Sequence, residues 1–150
     1  MTRTMTASRE DWLLVALAAA EGAPLTPVQL QKSLFLLGQE LPDAVGEDFY
    51  AFRPYNYGPF SSAVYADADR LADEGLVRID RMEPGRNWAV YSATPEGVER
   101  ALALSNGLPG QAVEYLRSAV GWTRKLTFSQ LVSAIYARYP EQRANSVFVD

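Results

Sequence analysis

The 150-residue chain contains no cysteine and no histidine. Without cysteine there can be no disulfide, no thiol nucleophile and no thiolate metal site. Without histidine the commonest general base and the commonest transition-metal ligand are also missing. Zinc enzymes and histidine-based triads are excluded by inventory, and no metal site or cofactor is expected. Lysine is nearly absent too: Lys32 is the only one before Lys125. Long apolar runs are lacking. The longest, "WLLVALAAA" (Trp12–Ala20), is far short of the roughly 20 residues that cross a bilayer. Arg9, Glu10 and Asp11 precede it, whereas a signal peptide has a purely basic lead-in. The expectation is a soluble, cytoplasmic protein of bacterial style with no membrane partner.

The composition is globular, with 48% hydrophobic and 21% charged residues. The length fits one domain with a small appendage. Net charge is -4 and the sequence pI is about 4.9, and a protein that lives on phosphate backbone is usually basic over at least one face. The charge is unevenly spread. Residues 1–50 carry -4, residues 51–75 carry -2, residues 76–110 are neutral and residues 111–150 carry +2.

Start and stop signals divide the chain. Ser8 caps a first helix with Leu13, Leu17 and Ala20 on one stripe, and Gly22 stops it. Thr26 and Pro27 open a second, which buries Leu30, Leu34, Phe35 and Leu37 and ends by about residue 41. "FYAFRPY" reads as a short strand or extended segment. In "NYGP", Gly58 permits positive φ and Pro59 is expected to start a third helix. Phe60, Val64, Ala68 and Leu71 would share its inner face, with Gly75 as the C′ residue. "LVRIDRM" and "NWAVYSA" form two strands around the turn "EPGR", with Leu76, Trp88 and Val90 directed inward. Thr94 and Pro95 open the next helix. "NGLPG" (Asn106–Gly110) is the strong internal break. Two helices follow, around Gln111–Val120 and Thr127–Tyr139, and then a tail with few apolar anchors.

The predicted class is mainly α (α+β): a winged helix–turn–helix-like domain over residues 1–106 with a β-hairpin wing, and a C-terminal helical extension over 107–150 packed on it. The third helix is the one that would enter DNA, yet it carries Asp67, Asp69, Asp73 and Glu74 against Arg70. With the three aspartates on its open side it would oppose the phosphate contacts that supply much of a DNA binder's affinity.

"LTPVQLQKSLFLLGQEL" followed by "FRPYNYGPFSSAVYADADRLADEGLV" resembles the SocA-like antitoxin domain, also called Panacea, and is most similar to the YwgA-like group beside it. Leu30-Gln31-Lys32, the aromatic extended segment and Tyr57-Gly58-Pro59 carry the resemblance, which covers most of residues 10–148. It implies a domain that acts by binding a partner protein, commonly the product of a neighbouring toxin gene, and it assigns no catalytic residue. Where the Panacea pattern often continues with a second leucine and a tyrosine, this chain has Ser33, Leu34 and Phe35.

Two readings of the motif stand side by side. In one, Gln31 and Lys32 with Arg53, Tyr55, Tyr57 and Tyr65 rim a recognition surface, as the tyrosine and arginine content suggests. In the other, Gln31 hydrogen-bonds the Tyr57-Gly58-Pro59 turn, Lys32 pairs with a nearby acid, and the rings are core. The alternative function is a winged-helix transcriptional regulator. It would bind DNA through hairpin Arg78, Arg81 and Arg86, as a homodimer paired through the C-terminal helices. The stripe Leu131–Ile135–Tyr139 is core or such a dimer face. Arg124, Lys125, Arg138 and Arg143 among aromatics are a weaker nucleic-acid signal. An enzyme is not expected: Asp67, Asp69 and Asp73 do not all share a helix face, and no phosphate-binding glycine loop appears.

Overall fold

The computed structural model describes residues 7–81 and 89–148. Seven helices are present among them: α1 (Arg9–Ala18), α2 (Pro27–Glu40), α3 (Pro42–Val45), α4 (Ser62–Asp73), α5 (Pro95–Ser105), α6 (Gly110–Lys125) and α7 (Phe128–Arg138). Strands β1 (Arg53–Tyr55) and β2 (Gly58–Phe60) form one antiparallel hairpin, and β3 (Val77–Arg81) and β4 (Ala89–Ala93) form another. A 3₁₀ turn, Pro140–Arg143, follows α7. The class is mainly helical, α+β.

The helix starts follow from local chemistry. Ser8, Thr26 and Thr127 each close a capping box with the third helical residue, and the Thr94 hydroxyl accepts from the Gly97 N–H. Each satisfies a backbone donor that the first turn leaves unpaired. Gly75 (φ +79) ends α4 in a left-handed turn, with Gly75 N–H bonding Ala72 O and Leu76 N–H bonding Leu71 O. That pair of bonds is the Schellman closure.

α1 is buried on every side, not along one stripe: Trp12 through Leu17 are all core. α2, α4, α5, α6 and β4 pack around it, which accounts for the unbroken apolar run. α6 extends to Lys125, beyond the expected end, and gives Ala112, Val113, Leu116 and Val120 to the same core. A second cluster joins Phe35 and Leu36 of α2 to Ala119, Leu131, Ile135 and Tyr139. The stripe Leu131–Ile135–Tyr139 is therefore internal to the chain and offers no pairing face.

Four other expectations are corrected. Pro59 does not start a helix: Gly58-Pro59-Phe60 is β2, paired as Arg53↔Phe60, Pro54↔Pro59 and Tyr55↔Gly58, and α4 begins only at Ser62. Ala89, Tyr91 and Ala93 are the buried positions of β4, and Val90 lies on the other face. Leu25 fixes this register by exchanging both backbone hydrogen bonds with Tyr91 (2.8 and 2.9 Å). Trp88 lies outside the described residues.

Asp67 is not on the open side of α4 but fully buried. Arg9 Nε and Arg70 Nη2 donate to its carboxylate at 2.8 and 2.7 Å, and the Tyr50 hydroxyl donates at 2.7 Å. Arg70 also pairs with Glu10. The tail is anchored as well. Val147 N–H bonds Asn56 O, the Tyr136 hydroxyl donates to Ser146 Oγ at 2.7 Å, and Phe148 packs against Phe128 and Tyr136.

Candidate functional site

The β1–β2 hairpin sits over the N-terminal half of α2, and Gln31 holds it there. The Gln31 side chain donates to Ser61 O and accepts from Ser61 N–H, both at 2.9 Å. An amide paired in both directions copies one rung of a sheet ladder, so the buried end of β2 is left with no orphan group. The expected bond to the Tyr57-Gly58-Pro59 turn is thus corrected: Gln31 pairs with Ser61, two residues past Pro59.

Lys32 is the neighbour that is not satisfied in this way. It is only 3% exposed. Among the described residues the one hydrogen-bond partner of its amine is Pro59 O, at 3.5 Å. No carboxylate lies within ion-pair distance of it among the described residues, so the expected pairing with an acid is corrected: Lys32 meets a carbonyl instead. Gly58 turns the chain over Lys32 at φ +103, a left-handed conformation that a side chain would strain, and a Cβ there would be in ordinary contact, 3.4 Å, with Lys32 Cε and Nζ and the Tyr136 ring. Burial pushes the Lys32 amine down to about 7, since desolvation disfavours the charged form.

Lys32 lines a cavity of about 250 Å³ together with Gln31, Tyr55, Tyr57, Phe60 and Tyr65. Five of the six residues expected at a recognition surface are gathered there. The sixth, Arg53, is exposed on β1 with its guanidinium 5.7 Å from the Tyr55 ring centre. The rings continue as a chain of contacts: Tyr55 to Phe60 at 5.1 Å, Phe60 to Tyr65 at 5.7 Å, and Tyr65 stacked on Tyr91 at 5.9 Å. Burial raises the Tyr65 hydroxyl to about 12, with Gln31 pulling the other way.

Pro27, Val28 and Tyr57 are a wall shared with a second, apolar groove of about 510 Å³. Leu126, Phe128 and Leu131 form its far side. Tyr57 (43% exposed) and Phe128 (46%) meet edge to face across it, with ring centres 5.2 Å apart. Both α2 and α7 begin at this groove, and Thr26 and Thr127 are among its lining. Among the described residues no acidic side chain lines either cavity, although the chain is acidic overall. Sequence reasoning finds Tyr57 but misses Val28, Leu126 and Phe128. A signal is present: a cap threonine followed at once by an exposed phenylalanine puts a large ring where a first helical turn is normally polar.

The hairpin arginines are placed differently. Arg78 is exposed and engaged locally by Asp80, at 3.0 Å. Arg81 is exposed at the end of β3, and Arg86 lies outside the described residues. No protein-family model matches the chain, and no curated protein matches it.

Proposed function

We propose that this chain is a non-enzymatic protein-binding module of winged-helix type, acting as an antitoxin-like or adaptor protein of the SocA/Panacea kind. The order α1, Leu25 bridge, α2, α4 and β3–β4 hairpin supports the winged-helix reading. One observation carries the binding reading: two adjoining cavities that share Pro27, Val28 and Tyr57, set between the starts of α2 and α7 and the β1–β2 hairpin. They hold two exposed, mutually packed rings and a buried amine and, among the described residues, no acid. Aromatic anchors in a concave apolar patch are what protein contacts are built on. Among the described residues the one Asp, Glu, Lys or Arg lining these cavities is a base, Lys32, in a chain of net charge -4, so they suit an acidic segment of a partner.

Co-expression with the product of the adjacent gene tests this. A complex is expected, and Tyr57→Ala with Phe128→Ala should weaken it by about two orders of magnitude if both are central anchors. Recovery of no complex, or a complex indifferent to both substitutions, contradicts the reading. DNA binding stands second. α4 presents Asp69 and Asp73 outward, and Arg78 is already paired. A gel shift with the promoter of its own operon, abolished by raised salt and weakened by Arg81→Ala, would reverse the order.

A further inference from the structure

The two adjoining cavities differ in chemistry, and the difference points to what the partner brings. The apolar groove, at Val28, Leu126 and Phe128, takes hydrophobic side chains. The adjoining cavity ends at the Lys32 amine, which is buried and, among the described residues, makes one long bond, to Pro59 O. An ammonium has three donors, and a buried charge is ordinarily paired. The groups facing Lys32 cannot do it. Tyr55 and Tyr57 come from the hairpin, Tyr65 from α4 and Tyr136 from α7, and none is a carboxylate. Arg53 lies over the Tyr55 ring and Arg143 over the Tyr136 ring, and both have the same sign as Lys32. So do the positive ends of α2 and α7. Among the described residues no carboxylate completes the amine, and an oxygen anion of a partner entering the cavity that Lys32 lines would do so.

We infer that Lys32 is the polar anchor for an aspartate or glutamate side chain of the partner protein, seated beside a large apolar side chain that fills the groove at Tyr57 and Phe128. This rests on the reading of the groove as the partner-binding face, and it adds the partner's chemistry. Two pieces of the partner are specified: an acid for the inner end, and an aromatic or branched aliphatic residue a few positions away in the same segment. Lysine meets the carboxylate as a compact point charge and does not demand two-point geometry. Either acid can serve.

Selection of random short peptides displayed on phage, fused through their C-termini, against the full chain tests this. Only side-chain carboxylates are then offered. Enriched sequences are expected to combine Asp or Glu with a large apolar residue. A capped synthetic copy of a selected peptide should lose at least roughly tenfold in affinity when its acid becomes the amide, and a similar factor with the Lys32→Met protein. Lys32→Met keeps the side-chain length, and its denaturation curve confirms folding. Selections that enrich apolar residues without acids, and that Phe128→Ala abolishes, sink the Lys32 assignment while leaving the docking face intact. Acidic peptides that bind Lys32→Met equally well do the same. Failure to enrich any sequence overturns both.

Discussion

Lys32 and Asp67 are buried to nearly the same degree, yet they are treated oppositely. Asp67 has two guanidiniums and a phenol on its oxygens, and it ties α1 to α4 and to Tyr50. Lys32 has one carbonyl. Its folded value of about 7 lies below the ordinary 10.5 of an unfolded chain. Between those values the unfolded chain holds the extra proton, so stability rises with pH across that window. Below about 7 both states are charged and the full cost of burying the ammonium is present. Lys32→Met removes that cost. It should make the protein more stable than the parent at pH 6 by a few kcal/mol, since each tenfold difference in proton affinity between the two states is worth about 1.4 kcal/mol. The advantage should shrink toward pH 10. Urea denaturation at the two pH values measures it, and a pH-independent difference would show that Lys32 titrates alike in both states. A buried base with one carbonyl partner among the described residues is what the acid of the proposed partner would relieve. None of this is legible in the sequence. Gln31 and Lys32 are adjacent, and only the hairpin some 27 residues later decides that one is saturated and the other is not.

At the scale of elements, the helix starts are legible and the short strands are not. Ser8, Thr26, Thr94 and Thr127 act within their own first turns, so their chemistry shows locally. Pro59 misleads because a proline after glycine suits a helix start as well as a strand. Its true role depends on pairing with Pro54, which no local pattern reveals. Asp67 misleads for the same reason, since Arg9 reaches it from 58 positions away. Gly97, within a simple helix-start motif, carries a constraint between elements. Thr94 Oγ donates to Gly75 O at 2.7 Å, drawing the start of α5 onto the end of α4. A Cβ on Gly97 would lie 2.0 Å from Leu76 O. Because the obstacle is backbone, it cannot rotate away. Gly97→Ala should therefore cost about 1–3 kcal/mol or more, read as a lowered melting temperature. Ala101→Gly, in the same helix but without that contact, should cost about 1 kcal/mol through helix propensity and lost burial. Equal effects of the two would mean that α5 can move off Leu76.

At the scale of the molecule, the order of helices and the β3–β4 hairpin can be read from the sequence, and so can the overall class. The groove cannot be read as one object, because its walls come from the start of α2, the hairpin turn and the start of α7. The molecule combines a net charge of -4 with two adjoining cavities that, among the described residues, hold two exposed rings and a buried amine and no acid. The central claim is that these cavities, and not the face of α4, are where the partner sits. Hydrogen–deuterium exchange of the full chain, alone and in complex with the co-expressed neighbouring gene product, tests it most directly. The expected result is slowed exchange over residues 55–60 and 126–131, with the exposed turns of α4 unchanged. Protection confined to α4 and the β3–β4 hairpin would contradict it.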